Sequence, residues 1–104
     1  MRVLATAADL EKLINENKGR LIVVDFFAQW CGPCRNIAPK VEALAKEIPE
    51  VEFAKVDVDQ NEEAAAKYSV TAMPTFVFIK DGKEVDRFSG ANETKLRETI
   101  TRHK

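Results

Sequence analysis

Apolar residues recur along this chain with two different periods, and the changes of period mark predicted strands and helices. Leu21 to Ala28 is apolar throughout except for one aspartate, which predicts a strand buried on both faces. From Gly32 to Ile48 the apolar positions follow helical spacing, which predicts a long amphipathic helix directly after that strand. Another strand is predicted from Val51 to Val58.

The same signals of periodicity, capping and turn residues predict the other elements. In chain order these are a β-prone segment over residues 2–5, a helix between Thr6 and Gly19, an alanine-rich helix ending near Tyr68, strands at 75–79 and 84–88 joined by Asp81-Gly82, and a last helix after Asn92. The resulting order, β-α-β-α-β-α-β-β-α, predicts an α/β fold. We expect a central mixed five-stranded sheet flanked by four helices.

Composition narrows the possible functions. A chain of 104 residues predicts a single domain over residues 1–104, and its 45% apolar and 32% charged residues are typical of a globular protein. The 16 basic and 17 acidic residues are dispersed, so we expect no binding to nucleic acid. The longest apolar run is too short to span a bilayer, and the first residues do not resemble a signal peptide. We therefore expect no membrane association and a cytoplasmic location.

The only two cysteines, Cys31 and Cys34, lie where the apolar strand passes into the long helix. Free N–H groups at a helix start favour an anion, so Cys31 is expected to ionise more easily than a free thiol. Cys34 lies one turn further on the same face and can close a disulfide with it. The alternatives are a zinc site and a static crosslink. A structural zinc site needs four ligands, and the two cysteines with the single histidine, His103, which we interpret as a frayed tail residue, are too few. A static disulfide that encloses only two residues would restrain the unfolded chain little. The pattern favours a redox pair.

Asp25 is the one charge inside the apolar strand, and alternation places it on the face of Leu21 and Val23. Burial of an unpaired carboxylate raises its pKa, which would suit Asp25 to exchange a proton with Cys34. The alternative is a buried carboxylate that is paired, for example with Lys55, and has no chemical role. Lys55 itself is either that partner or a solvated lysine at a strand end.

Trp30-Cys31-Gly32-Pro33-Cys34 after a strand, with Met73-Pro74-Thr75 about forty residues later, resembles the thioredoxin family. Further marks are Val23-Val24-Asp25-Phe26, Pro39, Lys55-Val56-Asp57 and Gly90-Ala91, so the resemblance covers essentially the whole chain. Residues 72–76 resemble eukaryotic members more than bacterial ones. Many animal members carry extra cysteines, which this chain lacks, so regulation or dimerisation through such thiols is not expected.

The resemblance implies a thioredoxin fold and a protein-disulfide reductase. Cys31 would attack a partner's disulfide, Cys34 would resolve the mixed disulfide, and Asp25 would exchange the proton. Gly32 and Pro33 would set the redox poise, with Lys55 as electrostatic partner of the carboxylate. The implied partners are oxidised protein disulfides and a thioredoxin reductase, the implied state is a monomer, and no bound cofactor is expected.

The resemblance also implies a surface that binds substrate, formed by Trp30, Met73, Pro74, Thr75, Gly90 and Ala91. Trp30 would be a platform for docking proteins beside an exposed Cys31 thiol, and this interpretation is favoured over the alternative of a simple core residue. Pro74 is expected to be cis, with the Met73 backbone open to an extended peptide, where an ordinary proline would be trans. Gly90-Ala91 is either a partner-contacting rim or a plain turn.

Two other functions are considered beside the reductase. A disulfide oxidase or isomerase would use the same fold, but relatives of that kind usually carry histidine between the cysteines, where this chain has Gly32-Pro33. A binding module or redox sensor would use the disulfide only as a switch. Partner binding that survives serine substitutions at both Cys31 and Cys34 would favour that module.

Overall fold

The computed structural model describes residues 1–104 and contains the nine predicted elements in the predicted order. The strands are β1 (Arg2–Val3), β2 (Ile22–Phe27), β3 (Glu52–Asp57), β4 (Thr75–Lys80) and β5 (Lys83–Ser89). The helices are α1 (Ala7–Glu16), α2 (Gly32–Glu47), α3 (Glu62–Lys67) and α4 (Glu93–His103). None of the helices combines the length and the apolarity needed to cross a membrane.

The strands form one mixed sheet in the order β1-β3-β2-β4-β5, which confirms the predicted fold class. β3 runs parallel to both β1 and β2, whereas β4 is antiparallel to its neighbours β2 and β5. β2 is therefore the middle strand, as its continuous apolar sequence predicts. Its Asp25 lies opposite Lys55 on β3 and opposite Phe76 on β4.

Each face of the sheet is covered by two helices, and alternation along β2 divides its side chains between them. Val24 and Phe26 pack with Leu10 and Leu13 of α1 on one face. On the other face the apolar layer joins the sheet to α2 and α4, through Leu21, Val23, Ile37, Val41, Leu44, Phe76, Phe78, Leu96 and Ile100. Asp25 belongs by alternation to this second face, at the end of the sheet where α2 begins.

Polar side chains define where three of the helices begin. Thr6, Asn61 and Asn92 each accept a hydrogen bond from the backbone N–H three residues later, at 3.0, 3.3 and 3.0 Å. Asn61 has a second contact, since its amide donates to the carbonyl of Leu4 at 3.1 Å. This buried side chain thus caps α3 and ties it to the segment that follows β1.

The hairpin prediction is confirmed in detail. Asp81 and Gly82 have φ values of +53° and +79°, the two positive values that a type I′ turn requires. The Asp81 carboxylate also accepts a hydrogen bond at 2.9 Å from the backbone N–H of Gly19, which links this turn to the end of α1. β1 is shorter than predicted, because only Arg2 and Val3 pair with β3 as a strand.

The interpretation of His103 as a frayed residue is wrong. His103 belongs to α4, and its Nε2 lies 3.0 Å from the Asp86 Oδ2 atom on β5. Its carbonyl accepts a hydrogen bond from the Lys80 ammonium at 3.1 Å. Both partners come from distant sequence positions, so local pattern gave no sign that the helix end is anchored to the sheet.

Asn61→Ala is expected to lower the free energy of unfolding more than Asn92→Ala, although both remove an N-cap. Loss of the exposed Asn92 cap should cost about 1 kcal/mol. Asn61→Ala also leaves the Leu4 carbonyl without its donor in a buried position, which should add roughly 1–3 kcal/mol. Urea unfolding of the two variants measures the difference, and equal losses would contradict the buried double role of Asn61.

Candidate active site

The two cysteines form a disulfide across the first turn of α2, where the end of β2 delivers them. Cys31 is the N-cap residue, and its Sγ accepts a hydrogen bond from the backbone N–H of Cys34 at 3.2 Å. Gly32 and Pro33 occupy the turn between them, and proline is favourable there because its missing N–H needs no partner. The predicted position of Cys31 at the helix start is confirmed.

The expected exposure of the Cys31 thiol is wrong. Cys31 and Cys34 are only 4% and 5% exposed, because they pack with Ala28 in a small cluster of their own. Phe27, Val58 and Met73 pack against this cluster. A partner must therefore approach closely to reach the Cys31 sulfur.

Asp25 is 3% exposed, and its Oδ1 atom has no hydrogen-bond partner. Removal of the carboxyl from water raises the pKa of Asp25 from 3.8 to about 6. The positive charge of Lys55 opposes this rise and the negative charge of Glu42 adds to it, both with smaller effects. A cavity of about 330 Å³ is lined by Asp25 and Cys34 together, with Gln29, Arg35 and Lys55 among its other walls.

Lys55 is neither a close ion-pair partner nor a freely solvated lysine. It is half-buried beside Asp25 in the parallel register, and its ammonium lies 4.7 Å from the centre of the Phe27 ring. It thus supplies positive charge near the carboxylate without satisfying the Oδ1 atom.

The turn that precedes β4 lies against the disulfide. The Met73–Pro74 bond is cis, as the family resemblance implied, and the Met73 carbonyl oxygen is 3.7 Å from the Cys31 Sγ atom. The N–H of Gly90 donates to the Pro74 carbonyl at 2.9 Å. Ala91 is exposed beside this contact, so the two predicted binding segments are brought together.

The Thr75 hydroxyl is part of the same turn and is not itself open to solvent. Its Oγ1 atom is 2.6 Å from the Ala72 carbonyl oxygen and 2.8 Å from the Ser89 Oγ atom. Thr75 is buried, whereas Ser89 is exposed at the end of β5. Sequence reasoning missed Ser89, and only the pairing of Thr75 with Ser89 between β4 and β5 reveals it.

Trp30 is 66% exposed, which excludes the reading of this ring as core. Its indole N–H donates to the Asp59 carboxylate at 2.9 Å, and the neighbouring Gln29 amide donates to Asp57 at 3.2 Å. Sequence reasoning missed both aspartates as parts of the site. A usable signal was present, because the ends of the parallel strands β2 and β3 meet at one edge of the sheet.

The arrangement is suited to dithiol–disulfide exchange coupled to proton transfer. A sulfur at a helix start can be held as a thiolate, and a carboxyl of raised pKa shares a cavity with the second sulfur. No group of three or more His, Cys, Asp or Glu side chains is arranged to hold a metal ion.

Comparison with known proteins gives consistent matches. The family model described as Thioredoxin matches residues 2–102. Thioredoxin H-type 1 of Nicotiana tabacum is 60% identical over 84 residues, which cover 81% of this chain and 67% of the relative. Thioredoxin of Geodia cydonium is 50% identical over 102 residues, which cover 97% and 96%. Among solved structures, Plasmodium falciparum thioredoxin superposes with a TM-score of 0.95 at 39% identity over 100% of both chains.

Asp25→Asn is expected to stabilise the protein in a way that depends on pH. Below about pH 4 the Asp25 carboxyl is protonated in both the folded and the unfolded protein, and burial of its charge costs no stability. Because the folded-state pKa is raised, the wild-type protein loses stability as pH rises through about 6. The rise in pKa from 3.8 to about 6 corresponds to a loss of about 3 kcal/mol in the free energy of unfolding. Urea unfolding should therefore show a gain for the variant that grows over this range.

Glu98→Gln, the same chemical change at an exposed position on α4, is the matched control and should show no such growth. A gain for Asp25→Asn that is constant from about pH 4 to neutral pH would contradict the raised pKa.

Proposed function

The chain belongs to the thioredoxin family, and on that premise we propose how its residues divide the work of protein-disulfide reduction. Thioredoxins are disulfide oxidoreductases, and this chain is a disulfide reductase that works through the Cys31–Cys34 pair. The observation that most supports the proposed roles of Asp25 and Cys34 is the cavity that the two residues line together.

Cys31 acts first in the proposed sequence, as the nucleophile. Its thiolate is favoured by the N–H of Cys34 and by the positive end of the α2 dipole. It attacks one sulfur of a partner's disulfide, and the other partner sulfur leaves as a thiolate. The product is a mixed disulfide between Cys31 and the partner, with Gly32-Pro33 keeping the turn between the cysteines short.

Cys34 then resolves the mixed disulfide. Its thiol is buried and must lose a proton before it attacks, and the Asp25 carboxylate accepts that proton across the shared cavity. The Cys34 thiolate attacks the Cys31 sulfur, the disulfide of the protein forms, and the partner leaves with its second sulfur reduced. Lys55 adjusts the proton affinity of Asp25 through its positive charge.

The proposed docking surface consists of Trp30, Met73, Gly90 and Ala91, and the buried Pro74 and Thr75 contribute by holding the Met73 turn. An extended partner segment would pair with the Met73 backbone, whose carbonyl is 3.7 Å from the attacking sulfur. The exposed ring of Trp30, the residue before Cys31, would provide apolar contact.

We further propose that residues 1–104 act as a monomeric cytoplasmic domain that carries electrons from a thioredoxin reductase to oxidised proteins. The reductase would return the Cys31–Cys34 disulfide to the dithiol after each cycle, without a cofactor bound to this chain. The support for this setting is the family resemblance.

The redox midpoint of the Cys31–Cys34 pair tests the direction of electron flow. Equilibration against glutathione buffers of defined ratio, followed by trapping of free thiols, should give a midpoint more reducing than the glutathione pool. A midpoint near that of an oxidising secretory compartment would instead indicate a disulfide oxidase or isomerase.

Asp25→Asn tests the proton-transfer role. In the wild-type protein, release of a partner from the mixed disulfide should accelerate as pH rises through about 6, the pKa of Asp25. The variant should lose this inflection and release the partner roughly a hundredfold more slowly, since general-base catalysis contributes at least that much. Rapid acid quenching of the mixed disulfide measures the rate. Release that keeps the wild-type rate and pH profile would contradict the role, and Glu98→Gln serves as the control.

A further inference from the structure

The hydroxyl groups of Thr75 and Ser89 share a hydrogen bond whose donor and acceptor can be assigned. Thr75 Oγ1 is 2.6 Å from the Ala72 carbonyl oxygen, which can only accept, so the Thr75 hydroxyl donates its single proton there. The 2.8 Å contact between Thr75 Oγ1 and Ser89 Oγ must then use the proton of Ser89. The result is a directed chain from Ser89 to Thr75 to Ala72, in which each bond polarises the next.

This chain closes around the Met73–Pro74 turn. Ala72 and Thr75 flank the turn on its two sides, so the Thr75 hydroxyl bridges across it. The Pro74 carbonyl is held separately by the N–H of Gly90, the residue after Ser89. The turn is thus attached twice to the end of β5, once by a side chain and once by the backbone.

We propose that Ser89 is a positioning residue for disulfide exchange with protein partners. By donating to Thr75, it holds the Met73 backbone in the orientation in which a partner segment pairs beside Cys31. The inference rests on the proposed docking role of Met73 and extends it to a residue outside the docking surface named above. Ser89 acts through Thr75, and its hydroxyl proton is the essential feature.

A purely structural role for the Thr75–Ser89 pair makes a different prediction. Cross-strand hydroxyl pairs stabilise a sheet generally, and loss of such a pair would affect every substrate alike. Loss of positioning at Met73 instead affects only substrates that bind as an extended chain. A small disulfide, which makes no strand-like contact, separates the two cases.

Ser89→Val and Ser89→Thr form a matched pair, because the two β-branched residues differ only in the hydroxyl group. Ser89 is exposed and lies in a strand, so both replacements fit the fold. With the interchain disulfides of insulin as protein substrate, Ser89→Val should raise KM about fivefold, the usual effect of one lost hydrogen bond, with kcat unchanged. Ser89→Thr should stay within about twofold of wild type. Reduction of 5,5′-dithiobis(2-nitrobenzoate) should not differ between the variants.

A double-substitution cycle with Thr75→Val tests whether Ser89 acts through Thr75. In that background, Ser89→Val should add no further increase in KM for insulin, because the acceptor is already absent. Additive effects would overturn the inference, as would equal KM values for the Val and Thr variants or equal losses on both substrates. Failure of the wild-type protein to reduce insulin would instead overturn the proposed function itself.

Discussion

One carboxyl group, buried in the middle strand with an oxygen atom that lacks a hydrogen-bond partner, is the constraint around which this structure is arranged. An ionised Asp25 in that place opposes folding, and the apolar layers on both faces of β2 must offset it. Val24 and Phe26 secure the strand on one face while Val23 secures it on the other. The strand therefore cannot turn to expose Asp25. The cost of burying its charge instead raises the pKa of the carboxyl group.

The sheet topology brings the rest of the site to that carboxyl. β2 and β3 are parallel, so both end at the same edge of the sheet, whereas the antiparallel β4 begins there and β5 returns to it. Four chain segments therefore meet at one edge: the disulfide turn, the loop after Asp57, the Met73–Pro74 turn and the end of β5. Ligand sites in open α/β sheets commonly lie at the carboxyl ends of parallel strands, and this site follows that rule.

Local pattern was enough to predict the features that a single segment determines. Helical period placed Cys31 at the start of α2, and strand alternation placed Asp25 inside. Contacts between remote segments escaped prediction because they depend on strand register and loop paths that no local period encodes. The bonds from Ser89 to Thr75 and from His103 to Asp86 are of this kind.

The low exposure of the cysteines escaped prediction for the same reason, since Met73 packs against them from a distant loop. The exposure of Trp30 could not be predicted either, because the chemistry of its ring fits both a core and a surface position. Trp30 is exposed, and its indole bonds to Asp59, a residue 29 positions further along the chain that no local period relates to it.

The turn at Asp81-Gly82 lies at the far end of β4 from Pro74, a separation of roughly 20 Å for a strand of this length. Its residues are exposed, and loop tips of this kind accept inserted sequence well. A fluorophore, affinity peptide or surface linker placed there would leave the sulfur-bearing edge facing outward. Retaining Asp81 would keep its hydrogen bond to the Gly19 backbone, which holds this end of the molecule together. The protein could then be immobilised in one defined orientation.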